Sequence, residues 1–346
     1  GLDQAQKLGI FDEKAFLNED AFVRSAAIRA AGESGDPALI PLLRKGSRDS
    51  YATARLFALQ GIQNISSADT REVARSLLED KDVWVRSAAL GILGDVGNKE
   101  SIPLVKPSLD SNNRMVRLAA AFALYKLGEE DFLDTITDSL DKGDVVNRFQ
   151  AISYLGKIGT ESSIAHLTGL LRDKRDAIKV YSLKAIGKNA KFEMLPRLKR
   201  LVLSKNPAVR HNAVLALGHL PAKSSLELIK EFCSDPDPLV RLSAGISLAR
   251  MGSGDCKGLF AELLKNEDFT VRSSAARILG EVAAPDRMAL LAHALGDSNS
   301  RVRTAAVRAT GRVGGAEAFS LLDQMLEDPQ EAIRAYAAGN LIKLMN

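Results

Sequence analysis

The sequence predicts an all-α protein of the solenoid class, and three observations lead to this prediction. An arginine or lysine recurs every 31 residues without an insertion. A small residue follows it three positions later in every repeat, and apolar residues surround both at helical spacing. A two-helix unit of this length cannot bury its apolar face alone, so neighbouring units are expected to stack into a superhelical arc.

The basic residue, which we number zero, divides the 346-residue chain into eleven repeats. Because no insertion or linker interrupts the register, we expect residues 1–346 to form a single solenoid domain. Position zero is held by Arg24, Arg55, Arg86, Arg117, Arg148, Lys179, Arg210, Arg241, Arg272, Arg303 and Arg334.

The residues around position zero predict the second helix of each repeat, which we call helix B. Position +3 is alanine everywhere except at Ser182, which indicates that backbones approach closely there. Apolar residues at −1, +4 and +7, such as Val214 and Leu217, indicate an amphipathic helix. Glycines such as Gly94 and Gly159 stand where we expect this helix to end, because glycine adopts the left-handed cap at little cost.

A shorter apolar pattern upstream of position zero predicts the first helix of each repeat, helix A. Leu195, Leu198 and Val202 show its spacing in repeat seven. Asp, Asn or Pro then separate the two helices, as at Asn206-Pro207, and supply a turn and an N-cap for helix B.

This repeat resembles the HEAT-like repeat of phycobilisome lyases. The resemblance rests on the helix A signature Asp36-Pro37-Ala38-Leu39-Ile40-Pro41-Leu42-Leu43 and on the helix B signature Val-Arg-x-x-Ala-Ala-x-x-Leu-Gly-x-x-Gly. It implies a HEAT-type solenoid in which helix B lines the concave surface. Repeats of this type occur in bilin lyase subunits, deoxyhypusine hydroxylases, alkyl-DNA glycosylase-like proteins and scaffolds, so the resemblance specifies architecture more than function.

Composition limits the location of the protein. The net charge is +4, and no apolar run approaches the roughly 18 residues of a membrane span. The N-terminus shows no basic region followed by an apolar stretch, so no targeting signal is visible. We expect a cytoplasmic protein. The alternative is an exported one, because a chain that begins Gly1-Leu2-Asp3 can have lost a cleaved signal.

The two cysteines are not expected to be bonded. Cys233 ends helix A of repeat eight, and Cys256 lies near the start of helix A of repeat nine. Because corresponding helices of a solenoid run parallel, the two sulfur atoms should lie at opposite ends of neighbouring helices, too far apart for a disulfide.

No catalytic or metal-binding pattern is visible, so we expect a non-enzymatic protein without a cofactor. The histidines are His166, His211, His219 and His293, and we interpret them as surface residues. None precedes a glutamate, so the His-Glu pairs that bind iron in deoxyhypusine hydroxylases are absent. A bilin-lyase-like or chaperone-like maturation subunit is the alternative function.

The periodic aspartates and arginines indicate structural roles. Aspartates recur four residues before position zero, and we interpret them as N-caps and partners of the arginines. Because the arginines border the core face, a structural ladder is favoured over a row of phosphate contacts. The aspartates are Asp20, Asp82, Asp144, Asp237 and Asp268.

The open face of helix B is predicted to bind a partner protein or peptide. Positions −2, +1, +2 and +5 carry apolar residues in repeats three to eight, where polar ones are the default: Trp84, Met115, Leu118, Phe122, Val146, Phe149, Val180, Tyr181, Leu215, Leu242 and Ile246. A basic row at +9 runs beside them: Lys126, Lys157, Lys188, His219 and Arg250. An apolar strip beside cations suits an amphipathic segment with flanking acidic residues.

Three further segments have an unusual composition. Residues Arg172–Arg210 contain twelve Lys or Arg, which supports nucleic-acid binding as a weaker alternative. Helix A of repeat five is acidic, with Asp134, Asp138 and Asp141. The C-terminal run Leu341–Asn346 is apolar for an end helix, so we expect it to be covered by further chain, by a partner or by a second copy.

Overall fold

The structure is a computed structural model that describes residues 16–142, 144–253, 256, 258–284 and 286–345, without the side chains of residues 142, 188 and 222. Throughout these ranges the chain is helical and contains no strand. The predicted all-α solenoid class is therefore confirmed. The predicted helix A of repeat one lies outside the described residues.

The odd-numbered helices are helix B of repeats one to eleven, and each begins at the turn before position zero. They are α1 (Ala21–Ser34), α3 (Ala52–Ile65), α5 (Val83–Val96), α7 (Arg114–Lys126), α9 (Val145–Ile158), α11 (Asp176–Ile186), α13 (Pro207–Leu217), α15 (Pro238–Arg250), α17 (Phe269–Leu279), α19 (Ser300–Val313) and α21 (Glu331–Met345).

The even-numbered helices are helix A of repeats two to eleven, and most are shorter. They are α2 (Ile40–Gly46), α4 (Ser67–Ser76), α6 (Ile102–Val105), α8 (Phe132–Lys142), α10 (Glu161–Leu170), α12 (Leu195–Leu201), α14 (Ala222–Glu231), α16 (Leu259–Leu263), α18 (Arg287–Leu295) and α20 (Gly315–Gln324).

The chain divides into two compact units. Unit 1 comprises Gly1–Phe132 and Met288–Asn346, and unit 2 comprises Leu133–Arg287. Within each unit, consecutive B helices pack side by side, as α5 does on α7 and α13 on α15. The prediction that residues 1–346 form one solenoid domain stays a prediction.

Small residues set the distance between neighbouring B helices. Every +3 residue is at most 1% exposed, Ser182 included. Glycines bring the helices closer still, since a Cβ at Gly94 would lie 2.8 Å from the Cα of Ala123. Gly94 is therefore inside α5, and its prediction as a helix end was wrong because the helix crossing requires the glycine. Gly159 does end α9 in the left-handed conformation, with φ 67°.

In unit 1 the first and last repeats pack against each other through α1 and α21. A Cβ at Gly339 would lie 2.6 Å from the carbonyl oxygen of Ala30, so these two helices also cross closely. An Arg308–Glu33 ion pair of 2.5 Å also joins repeat ten to repeat one. The apolar C-terminal helix thus packs on repeat one of the same chain, a cover that was not among those predicted.

A disulfide joins Cys233 and Cys256, so the prediction of no bond was wrong. Cys233 lies in the 3₁₀ turn Phe232–Ser234 that follows α14. Cys256 stands before α16, which has only 5 residues, rather than inside a helix. Because Cys256 lies outside the helix, the helix start does not fix its position. Its Cα atom is 5.8 Å from that of Cys233.

A substitution in helix α13 tests the close helix crossing. Ala213→Leu is expected to overpack the contact with α15 and to lower the free energy of unfolding by about 1 to 3 kcal/mol. Ala208→Leu makes the same change at an exposed position of the same helix and should cost little. Chemical denaturation of both variants measures the difference, and equal losses would contradict the assignment of the buried face.

Removal of the disulfide gives a second stability prediction. The Cys233→Ser, Cys256→Ser double variant is expected to lose about 2 to 4 kcal/mol, because the bond restricts the unfolded chain. Thiol titration of the unfolded wild type should detect free thiols only after reduction. Thiols that react without reduction would show that the pair is not bonded.

Candidate partner-binding surface on helix B

Aspartate caps place the −2 side chains on the open surface. Asp82 Oδ1 accepts hydrogen bonds from the backbone N–H groups of Trp84 and Val85 at 2.9 and 3.1 Å. This starts α5 and holds Trp84 in the first helical turn, where 59% of it is exposed. The other predicted aspartates also cap their helices, which confirms that part of their predicted role: Asp20, Asp144, Asp237 and Asp268.

Unit 1 presents two exposed aromatic side chains at position −2, Trp84 and Phe22. Phe22 is 73% exposed, and its ring centroid is 6.1 Å from that of Tyr51. Sequence reasoning missed Phe22, although it holds the same position before Arg24 that Trp84 holds before Arg86.

Two other predicted contact residues of unit 1 are buried, which corrects their assignment. Leu118 is 2% and Phe122 0% exposed. The ring of Phe122 reaches within 4.0 Å of where a Cβ of Gly91 would stand, so it fills the space that this glycine leaves on α5. Met115 is half-buried. Lys126 is exposed, and its Nζ lies 3.5 Å from Asp95.

Unit 2 holds a stacked aromatic pair, Phe149 and Tyr181, which we call the aromatic platform. Their ring centroids are 3.8 Å apart with an interplanar angle of 13°. Lys184 Nζ lies 5.7 Å from the centroid of the Tyr181 ring. Tyr181 is 42% exposed, and Val146 at the start of α9 is 47% exposed. The predicted residues of repeats five and six are thus brought together on α9 and α11.

Towards repeat eight the predicted strip is interrupted. Leu242 and Ile246 are only 1% and 3% exposed, so both assignments were wrong. They lie on α15, which packs against α13 and contacts α16 and α17. Val180 and Leu215 are half-buried. The accessible apolar part of the strip in unit 2 is therefore concentrated on α9 and α11.

The predicted basic row is partly present. Lys157 is exposed, whereas the side chain of Lys188 lies outside the described residues. His219 Nε2 is 3.3 Å from Arg250 Nη1, and burial, reinforced by Arg250, lowers the pKa of His219. His211 is not an ordinary surface residue, because its Nδ1 lies 2.8 Å from the Leu239 carbonyl oxygen. Burial lowers its pKa as well, which favours the neutral imidazole.

Sequence comparison identifies the repeat. The profile of HEAT repeats matches residues 45–125, 107–187, 194–255 and 256–342. The chain belongs to the HEAT-repeat family. Among curated proteins, none matches it.

Solved structures show similarity to this HEAT-repeat chain at low identity. An engineered protein is 18% identical, with 99% of each chain covered and a TM-score of 0.30. Human deoxyhypusine hydroxylase in complex with glycerol is 19% identical over 74% of this chain and 99% of its own, with a TM-score of 0.34. The Escherichia coli protein YibA is 17% identical over 85% and 98%, with a TM-score of 0.32.

The arginines at position zero of the HEAT repeats form a structural ladder, as predicted. Five of them pair with an aspartate 25 residues later, at N–O distances of 2.6 to 3.2 Å: Arg24–Asp49, Arg55–Asp80, Arg148–Asp173, Arg210–Asp235 and Arg303–Asp328. The side chains of these arginines are only 5% to 14% exposed, so they do not form a surface for phosphate groups.

The aspartates of the ladder are not the ones predicted. They stand six residues before position zero, whereas those at −4 direct a carboxylate oxygen to the backbone N–H groups of the helix start. Asp235 shows the arrangement, because its side chain accepts from Arg210 while its carbonyl accepts from Arg241 Nη1 at 2.8 Å. Each such aspartate therefore links two successive HEAT repeats.

Part of the basic segment Arg172–Arg210 takes part in these internal contacts. Arg210 belongs to the ladder, Arg175 pairs with Asp173 at 2.9 Å, and Arg197 donates to the Thr168 carbonyl. Lys199 and Arg200 are exposed. Across the described part of the chain, no cluster of three or more His, Cys, Asp or Glu could hold a metal ion. Nor does any helix there have the length and apolar character to cross a membrane.

The ladder carboxylates are expected to make the free energy of unfolding decrease at acid pH. The Arg24 guanidinium holds the pKa of Asp49 below its usual value. For Asp235, burial favours the neutral acid, but hydrogen bonds from Arg210 and the Asp237 N–H outweigh it and lower the pKa. Because folding lowers these pKa values, their stabilisation is complete above the unfolded value of about 3.9 and is lost as pH falls through the folded values.

Thermal melts at decreasing pH measure this effect. Asp235→Asn should lower the free energy of unfolding at neutral pH by about 1 to 3 kcal/mol, because it removes the negative charge that pairs with the Arg210 guanidinium. Below the ordinary carboxyl range its stability should converge towards that of the wild type. A constant difference between the two proteins over the whole pH range would contradict the ladder's role.

Proposed function

We propose that the chain is a non-enzymatic scaffold that binds a segment of another protein on the open surface of helix B. The observation that carries the proposal is the aromatic platform of unit 2, where Phe149 and Tyr181 stack beside the exposed Val146. HEAT repeats commonly mediate protein binding. Rigid aromatic side chains supply contact area at a small cost in conformational entropy, and they are enriched among residues that dominate binding.

The charges around the platform define the kind of segment that it suits. Lys184 stands beside Tyr181, and Lys157 is exposed on α9. A partner with apolar anchors and flanking Asp or Glu would bury the anchors on the rings and place its carboxylates near the ammonium groups. Burial would then supply most of the affinity, while charge would set the register and the association rate.

Unit 1 offers a second apolar surface through Phe22 and Trp84. Both side chains occupy position −2 of a capped helix, and both are more than half exposed. Each can serve as an anchor for an apolar side chain of a partner. Either surface can be tested separately, because the residues of one unit can be replaced without changing the other.

A bilin-lyase-like or chaperone-like maturation subunit is the alternative function. It is motivated by the two helix signatures that resemble the phycobilisome lyase type of HEAT-like repeat. Mixing the protein with a free bilin tests it, since binding would shift the visible absorbance of the pigment. The nucleic-acid alternative is tested by titrating salt against DNA binding, because phosphate contacts produce a steep dependence.

Replacement of the aromatic platform tests the scaffold proposal. Partners are first captured from native lysate with the wild-type chain, and the bound segment is then measured by calorimetry. Phe149→Ala and Tyr181→Ala should each weaken its binding by on the order of 2 kcal/mol, because a central aromatic contact is lost. Phe192→Ala, which truncates an exposed ring on the helix A side of unit 2, is the matched control and should bind normally.

Charge reversal at Lys157 and Lys184 provides the second arm of this test. The double variant Lys157→Glu, Lys184→Glu should mainly slow association and reduce its dependence on salt. Undiminished binding of the partner segment to a folded Phe149→Ala, Tyr181→Ala variant would overturn the proposal.

A further inference from the structure

The helix A surface of unit 2 carries opposite charges on two helices that flank a third. On α8 the exposed residues Asp134, Asp138 and Asp141 follow the i, i+4, i+7 spacing of one helix face. At the C-terminal end of α12, Lys199 and Arg200 are exposed, and Lys191 is exposed before its start. One side of this surface is therefore acidic and the other is basic.

Helix α10 joins the two sides into one surface. Residues of α8 and α10 line a common open cavity of about 600 Å³, with Asp138 and His166 on its walls. On the other side, Arg197 of α12 donates to the carbonyl of Thr168 on α10 at 2.7 Å. We call the surface formed by α8, α10 and α12 the charged face.

The centre of the charged face carries mostly small exposed side chains, apart from Glu161 and His166. The exposed residues of α10 include Ser162, Ala165 and Gly169, which follow one another at helical spacing. Small side chains let another helix approach closely. The face thus has an acidic side, a centre of mostly small side chains and a basic side, all within one compact unit.

We propose that the charged face is a two-fold interface between two copies of this chain. A two-fold axis that lies in the face and runs along α10 would place α8 of each copy on α12 of the other. This rotation keeps the helix direction, and Arg200 holds the position in repeat seven that Asp138 holds in repeat five. Asp134 and Asp138 of one copy would therefore meet the turn of α12 that carries Lys199 and Arg200 in the other. The same contact would occur twice, as an isologous interface requires.

The arrangement of charge favours a second copy over a partner of one sign. A purely acidic partner would be attracted to α12 and repelled by α8, and a purely basic one would meet the reverse. The occupant that matches both sides carries both charges in the opposite order. A rotated copy of the same chain has this order without any further requirement.

The size of the face indicates a weak, salt-dependent dimer. Three helices spaced about 9 Å apart and about 15 Å long cover on the order of 400 Å² per copy. Twice this area is at the low end for specific interfaces. Exposed charge pairs weaken as salt screens them, so the dimer should dissociate at high ionic strength.

Two charge-reversed variants test the proposal by analytical ultracentrifugation of the full chain. The acid-reversed variant is Asp134→Lys, Asp138→Lys, and the base-reversed variant is Lys199→Glu, Arg200→Glu. At low salt and high micromolar concentration, the wild type should dimerise and each variant alone should be monomeric. Their equimolar mixture should dimerise again, because the new lysines of one then face the new glutamates of the other, while the second contact keeps its natural residues.

A matched control changes the same number of charges elsewhere. Glu317→Lys, Asp323→Lys alters exposed residues of α20 in unit 1 and should leave dimerisation intact. If a reversed variant melts well below the wild type, the neutral versions Asp134→Asn, Asp138→Asn and Lys199→Gln, Arg200→Gln replace the pair, and each should weaken the dimer at least tenfold.

The outcomes separate this proposal from others. A monomeric wild type at low salt, a dimer that neither reversal affects, or a mixture that fails to associate would each overturn it. Assemblies larger than a dimer would indicate head-to-tail contacts and would also overturn the two-fold arrangement. The experiment needs no partner and leaves the aromatic platform unchanged, so its result is independent of the proposed scaffold function.

Discussion

The close crossing of neighbouring B helices is the constraint on which the rest of the structure depends. Alanine or serine at +3 and glycine at positions such as Gly94 and Gly156 leave no room for a longer side chain between the backbones. Large side chains must therefore lie at the edge of the crossing or find a gap, as Phe122 does above Gly91. This explains why exposed aromatic residues such as Trp84 and Tyr181 stand on the surfaces of the helices.

The ladder adds directional contacts to this non-directional packing. Four ladder aspartates accept hydrogen bonds from two arginines each. The backbone carbonyl accepts from the arginine at position zero of the same repeat, and the carboxylate accepts from that of the preceding repeat. They are Asp49, Asp80, Asp235 and Asp328. A turn residue thereby fixes both the start of one helix and its distance from the previous one. Where the −6 residue is not acidic, as at Ser111 before Arg117, the carbonyl contact remains.

The helices and their buried faces could be predicted because a repeat imposes the same local physics many times. Position +3 is buried in every repeat for the reason that the pattern indicated. The wrong predictions concern distances between repeats, which the pattern of a single repeat does not specify. Leu242 and Ile246 looked exposed on a helical wheel, yet neighbouring helices cover them. The Cys233–Cys256 bond depended on a shortened helix, α16, whose start the repeat pattern misplaced.

The candidate surface was predictable in composition but not in arrangement. Phe149 and Tyr181 could be assigned to the same face from their positions in the repeat. Their stacking could not, because it depends on the lateral offset between α9 and α11. Phe22 could have been found by applying the −2 position to the first repeat.

The contact between α1 and α21 gives the first and last repeats a second neighbour. In a linear array the first and last repeats have one neighbour each and fray before the interior does. Here each of the two packs on the other, with Gly339 against Ala30, and Arg308 of repeat ten lies beside Glu33 of repeat one. The first and last B helices, α1 and α21, are therefore interior elements in thermodynamic terms. Unfolding either helix alone would expose the apolar side of the other, so neither should fray before the interior repeats.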